Sequence, residues 1–173
     1  MRHTISLLVE NKPGVLTRVA GLFSGRGFNI ESLSVAETLD PNISRMTILT
    51  TGDDKILEQI TKQLNKLINI IKVIDFQSNE FVGRELVLIK VALTDETRSE
   101  ILNIVDIFRG KVVDVSAESY TVEITGDENK IMAILDLFLP MGIKEIARTG
   151  SAAITRGRKT KMAKVKSTKS KNR

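Results

Sequence analysis

Residues 4–30 read TISLLVENKPGVLTRVAGLFSGRGFNI, and the fold turns on this stretch. Thr4 to Val9 is aliphatic and β-branched, which predicts a strand, and the polar turn Glu10-Asn11-Lys12-Pro13-Gly14 closes it. Val15, Val19 and Leu22 then recur at helical spacing, with Leu16, Ala20 and Phe23 on the adjoining stripe. Gly25 and Gly27 are expected to end that helix, because glycine accepts the left-handed conformation at a helix C-terminus. Downstream, Phe28 to Ala36 and Ser44 to Thr51 read as strands around an Asp40-Pro41-Asn42 turn. Asp53 and Asp54 open a second helix along Ile56, Ile60, Leu64 and Leu67, and Ile70 to Phe76 is a final strand. The order is β-α-β-β-α-β.

The same order recurs. Glu85 to Leu93 predicts a strand after a polar link, and Ile101, Ile104, Val105 and Phe108 line a helix that Gly110 stops. Thr97-Arg98-Ser99-Glu100 has the spacing of a capping box. Lys111 to Ser116 and Tyr120 to Thr125 are strands, Asp127 starts a helix that Pro140 and Gly142 end, and Ile143 to Ala147 is the sixth element. The fold class is therefore α+β, with two ferredoxin-like βαββαβ domains. The expected boundaries are 1–77, a linker at 78–84, 85–155, and a disordered basic tail at 156–173. Ile5, Leu7, Leu8 and Val9 put apolar groups on both faces of a strand, as do Leu86 to Ile89. Such strands are usually covered on both sides, so homodimerisation or docking on a partner is expected.

Composition removes much catalytic equipment. The 173 residues include no Cys, no Trp and one His. This excludes thiol chemistry, disulfides and multi-histidine metal sites, so no metal site and no catalytic residue is expected. The net charge of +5 divides into +9 on residues 156–173 and −4 on the remainder. No apolar run approaches membrane-spanning length, and the N-terminus moves straight into a strand pattern without a signal core. Cytoplasm is therefore expected, or plastid stroma if the protein is made there. The tail has the charge to meet phosphates but no aromatic for base stacking, so nucleic acid is not the favoured partner. His3 reads as a strand-surface residue, and the acidic pairs Asp53-Asp54 and Asp127-Glu128 as helix starts. Gly25-Arg26-Gly27 closes a helix, whereas a phosphate loop opens one.

The informative segment is Asn11 to Val15, taken with Asn29 and Ile30. Pro13 and Gly14 place a helix N-terminus whose first amide groups lack partners, which suits a carboxylate. The Asn11 side chain offers a carbonyl for an ammonium group. In the ferredoxin-like plan, Asn29 at the start of the second strand is expected to return to that neighbourhood. An α-amino acid needs this set of groups and an apolar slot. Asn-x-Pro-Gly is equally a good turn and helix start with no ligand at all.

The turn at Asn11 to Leu16, followed by Arg26-Gly27-Phe28-Asn29-Ile30-Glu31-Ser32-Leu33, resembles an ACT domain, an amino-acid-sensing ferredoxin-like module. The runs GLFSGRGFNIESLSVAET and SRMTILTTGDD, with IFRGKVVDVSAESYTVEITG and EIARTG in the second half, are similar to the small regulatory subunit of acetolactate synthase (acetohydroxyacid synthase). The likeness spans about residues 1–157 and leaves the tail out. It implies a non-catalytic subunit of branched-chain amino acid biosynthesis. Such a subunit binds the catalytic large subunit, activates it and confers feedback inhibition by valine. It also implies that thiamine diphosphate, Mg and FAD belong to the large subunit, with no cofactor on this chain. The family's effector residues map to Asn11, Gly14, Asn29 and Ile30, with Val15 beside the helix start, at an interface between two ACT domains of a homodimer. The second repeat has Thr94-Asp95-Glu96-Thr97 at the equivalent turn, whose charges oppose a carboxylate, so sensing is assigned to the first repeat. The alternatives are a free-standing ACT-type sensor of another enzyme, or a nucleic-acid-binding regulator acting through the tail.

Overall fold

The computed structural model of the chain describes residues 2–76 and 81–157. The first unit runs β1 (Arg2–Glu10), α1 (Val15–Ser24), β2 (Ile30–Glu37), β3 (Ile43–Thr51), α2 (Asp54–Leu64) and β4 (Ile70–Phe76). The second runs β5 (Phe81–Ala92), α3 (Arg98–Ile107), β6 (Lys111–Val115), β7 (Ser119–Gly126), α4 (Glu128–Phe138), a short 3-10 turn (Leu139–Met141) and β8 (Ile143–Arg148), and a ninth strand, β9 (Ala152–Thr155), follows. The antiparallel sheets have the orders β2-β3-β1-β4 and β6-β7-β5-β8, each with the first strand of its repeat inside. Both repeats are ferredoxin-like.

Each core lies between one sheet face and its two helices. In β1, Ile5 and Leu7 face Ile48 and Met46 of β3, and with Val19, Phe23, Ile60 and Leu64 they are almost wholly buried. The second core repeats this arrangement with Val87, Ile89, Val122, Ile124, Ile131 and Phe138. Side chains of this size each contribute about 1.5–3 kcal/mol on full burial, so the period-2 and period-3.6 patterns are enough to select these faces.

Part of the other face of the first sheet is covered by the chain itself. Ser6 pairs with Thr47, and Thr4 with Leu49 and Phe76, so these residues share that face. Residues Phe81–Arg84 of β5 pair with β9 as a two-stranded ribbon. Phe81 stacks on Phe76 with ring centroids 4.9 Å apart. The buried Ala153 donates its N–H to the Thr47 Oγ1 at 3.3 Å. The ribbon thus covers that face at Thr47 and Phe76.

Several local expectations change. The linker expected at 78–84 is strand over 81–84, β9 has no counterpart in the sequence reading, and residues 77–80 and 158–173 lie outside the described residues. Gly25 is right-handed (φ −64°), and Gly27 (φ 73°) takes the left-handed position after α1. After α3 that position is held by Arg109 (φ 52°), not Gly110. The α3 cap lies three residues early, where the Thr94 Oγ1 accepts the Thr97 N–H at 3.2 Å and Thr97 makes no side-chain cap of its own.

Candidate functional site

The turn between β1 and α1 is built by its two central residues. The Val15 N–H donates to the Lys12 carbonyl at 3.3 Å, with Pro13 at the second position and Gly14 at the third with φ 81° and ψ −7°. This is a type II turn, which Pro-Gly favours because its third residue needs positive φ. The turn uses the Val15 N–H, one of the amides expected to be open. An ideal Cβ on Gly14 would have no heavy atom within 4 Å, so the space beside it is free.

The positive end of α1 has no acid of its own. Asp53 caps α2 through the Ile56 N–H at 2.7 Å, and Asp127 caps α4 through the Lys130 N–H at 3.0 Å. Glu100 lies in the first turn of α3, whereas the first turn of α1 contains no acidic residue and its cap makes no side-chain bond. An incoming carboxylate therefore meets the α1 dipole with no acid in the first turn of that helix.

Asn11 is exposed and held from two directions. Its backbone N–H donates to the Asn42 carbonyl at 2.7 Å, and its Nδ2 donates to the Pro41 carbonyl at 2.9 Å and the Glu37 Oε1 at 3.2 Å. Its Oδ1 accepts no hydrogen bond among the described residues. Next to it, Glu10 is held below the usual carboxylate range by hydrogen bonds from Asn69 and then Lys12. Val15 is 4% exposed and belongs to the core, so it supports the turn from beneath and lines no open slot.

Asn29 and Ile30 do not return to this turn within one chain. Ile30 pairs with Thr50 and Glu37 with Ser44, while Glu10 pairs with Ile43, so Asn29 and Asn11 lie at opposite ends of the sheet. The length of β3 between those pairs is on the order of 20–25 Å. β1 and β2 both run antiparallel to β3 and so parallel to each other, and α1 carries the chain back along the sheet before β2 begins at the far end. There Asn29 is exposed and Ile30 half-buried, beside a shallow hollow of about 470 Å³ shared with Ala20, Phe23 and Phe28.

A second cavity, about 710 Å³ and lying between the two domains, had no signal in the sequence. Its charged groups are mostly matched internally. Arg148 grips Glu85 with two bonds of 2.8 and 2.7 Å, and that contact raises the guanidinium pKa further. Arg2 bonds Glu31 at 2.7 Å and also reaches Glu128 across the domain boundary. Among the described residues, no group of three His, Cys, Asp or Glu is placed to hold a metal ion, and no helix is long and apolar enough to cross a membrane.

Strand order 2-3-1-4 with two helices on one face defines a ferredoxin-like domain of the ACT type. Residues 5–72 match the family model described as the AHAS small subunit-like ACT domain, and residues 84–157 the one described as the small subunit of acetolactate synthase. The chain is 58% identical over 159 residues to the probable acetolactate synthase small subunit of Methanothermobacter thermautotrophicus, covering 91% of this chain and 95% of that one. It is 54% identical over 155 residues to the acetolactate synthase small subunit of Mycolicibacterium smegmatis, covering 90% and 91%. The crystal structure of the Thermotoga maritima small subunit superimposes with a TM-score of 0.83 at 46% identity, covering 91% of this chain and 99% of that one. The chain belongs to the acetolactate synthase small-subunit family.

Proposed function

We propose that this chain is the regulatory subunit of a cytoplasmic acetolactate synthase, that it binds and activates the catalytic large subunit, and that valine bound at the Asn11 turn reverses that activation. The thiamine diphosphate, Mg and FAD of acetolactate formation belong to the large subunit in this reading. The observation that carries it is the acid-free α1 N-terminus at Gly14, with the Asn11 Oδ1 beside it. The turn supplies amide donors for a carboxylate, and Oδ1 an acceptor for an ammonium group.

The separation of Asn11 from Asn29 supports a site shared between two copies. β2 is an edge strand with one side unpaired. Two-fold pairing of β2 with β2 is antiparallel, so the start of one strand lies beside the end of the other. Glu37 at the end of β2 bonds Asn11, so this pairing brings the second copy's Asn29 and Ile30 to the turn. Feedback in the range of about 10 μM to sub-millimolar needs about −5 to −7 kcal/mol. The ceiling of about −1.5 kcal/mol per heavy atom gives an amino acid of valine's size about −12 kcal/mol, so it suffices.

The test is reconstitution. Acetolactate formation is assayed with large subunit alone, with this chain added, and with valine added to the mixture. The expected result is a rise on adding the chain and a fall on adding valine. A chain that neither co-purifies with the large subunit nor changes its rate is instead a free-standing sensor, and the reading fails.

A further inference from the structure

We propose that Arg2, with a bulge at Glu31 in β2, is the contact through which effector occupancy at Asn29 and Ile30 reaches the second domain. Arg2 is a positioning residue in this scheme, because it acts through Glu31 and Glu128 and does not touch the effector. This inference rests on the reading above, and it names the regulation of that same site. Ile30 pairs with Thr50 and Ser32 with Leu49, so Glu31 is one residue more than β3 can match. Such a bulge re-aims side chains and is frequent beside functional sites.

The bulge changes which way this part of β2 faces. Ile30 and Leu33 both pack against the first core. In a regular strand, two residues three apart lie on opposite faces. The extra residue lets both face the core and turns Glu31 and Ser32, consecutive in the chain, toward the second domain. Glu31 accepts from the Arg2 Nε at 2.7 Å and also from the Thr51 Oγ1. Those hydrogen bonds, Thr51 first and then Arg2, hold its carboxyl below the usual carboxylate range, so it stays charged opposite Arg2. Ser32 lies against Gly150, where an added Cβ would stand 2.5 Å from the Ser32 Oγ and 3.4 Å from the Leu33 carbonyl oxygen.

Both contacts are anchored on their far side. Arg2, paired with Thr51 of β3, shares the sheet face of Thr4 and Ser6 that the ribbon partly covers. Its Nη1 reaches Glu128 in the first turn of α4. Gly150 follows Thr149, whose N–H donates to the Leu86 carbonyl at 3.1 Å and whose Oγ1 accepts the Leu86 N–H at 3.1 Å. One residue earlier, Arg148 makes its two bonds to Glu85. Guanidinium–carboxylate bonds fix direction as well as charge. A displacement of the bulge is therefore passed to the β5–β8 pair and to α4, with little slack at either contact.

The effector residues adjoin the bulge directly. The Asn29 carbonyl accepts from the buried Thr50 Oγ1 at 2.7 Å, and Thr50 precedes Thr51, the second partner of Glu31. A ligand gripping Asn29 and Ile30 thus bears on the residue next to Glu31 and, through Thr50, on the residue next to its hydroxyl donor. The cavity of about 710 Å³ between the domains is lined by Arg2, Glu31 and Glu128, so the domains have room to change angle about these contacts. The effector shifts that angle by as much as it binds one setting better than the other.

The full chain is tested as Arg2→Met and Glu128→Gln, with Lys90→Met as a control that breaks the Lys90–Glu145 ion pair inside the second sheet. Valine heats are measured on each chain, and amide exchange of residues 128–131 is followed with and without saturating valine. Acetolactate formation is assayed with purified large subunit. In the unmodified chain and in Lys90→Met, valine is expected to change exchange at residues 128–131 by about threefold or more. In Arg2→Met and Glu128→Gln, valine still binds and the large subunit is still activated. Their exchange response falls below about 1.5-fold, and inhibition at saturating valine falls to about half or less of the unmodified extent. The double variant should match the singles, because each removes the same bridge. Unmodified depth of inhibition in both variants overturns the inference. So does an unmodified chain that binds valine with no exchange response in α4, or a loss of valine heat in Arg2→Met. An unmodified chain that gives no valine heat overturns the proposed function, and this inference with it.

Discussion

At Gly14 the backbone φ of 81° asks for glycine, while the space above it is open. A side chain there carries left-handed strain of roughly 1–2 kcal/mol and also projects over the α1 N-terminus. Gly14→Asp adds a carboxylate where the effector's own must sit, so it should abolish valine inhibition in the reconstituted enzyme while activation persists. Gly14→Asn separates the causes, since Asn tolerates the left-handed region. It should retain part of the valine response, as read from acetolactate formation against valine concentration. A different residue-scale prediction concerns Asp75, which pairs with Ile5 and so faces the core, where its Oδ1 has no partner among the described residues. Burial raises its carboxyl above the usual range, opposed by His3 and reinforced by Asp54. A folded-state value above the unfolded one, about 3.9, means that the native state holds the proton more tightly. Stability from this group therefore falls as pH rises through that window, and the penalty is complete above the folded value. Asp75→Asn should raise Tm at pH 7, with the gain shrinking as pH drops toward 4, a trend that thermal melts at both values will check.

At the scale of elements, turn chemistry and capping account for where helices start more than for where they stop. Asp53 and Asp127 act as the caps that the sequence predicts. Loss of such a cap costs about 1 kcal/mol, and Asp127→Ala should show that in urea unfolding. The end of α3 was not legible in the same way. Gly110 looks like a left-handed stop, yet Arg109 takes that conformation, and Gly110 is needed for close packing. A Cβ there would stand 2.2 Å from the Ile124 Cδ1 and 3.1 Å from the Glu123 carbonyl. Gly110→Ala should therefore destabilise by about 1–3 kcal/mol through overpacking, with a Tm lower by several degrees in calorimetry. A glycine's cause lies in whatever the tertiary fold brings against it, and local spacing holds no record of that.

Across the whole molecule, the two domains are joined by more than a linker. Gly150, at φ 76°, passes so close to β2 that a Cβ would meet the Ser32 Oγ at 2.5 Å. Arg2 bridges to Glu128, and Ala153 is buried against Thr47. Thr47→Val keeps the shape and β-propensity but removes the acceptor, leaving a buried N–H that costs about 1–3 kcal/mol. Calorimetry should show a lower Tm for Thr47→Val and near-recovery for Thr47→Ser, which restores the hydroxyl. An unchanged Tm in Thr47→Val would mean that the ribbon does not depend on this bond.

The order of elements, the two repeats, the Pro13-Gly14 turn and the family likeness were all legible in the amino-acid sequence. Each depends on neighbours within a few residues, through helical or strand period, proline's fixed φ and glycine's missing Cβ. The separation of Asn11 from Asn29, the ribbon over the first sheet and the cleft between domains were decided only by the tertiary structure. They depend on strand register and layer packing between residues as far apart as Thr47 and Ala153, and such pairings leave no period in the chain.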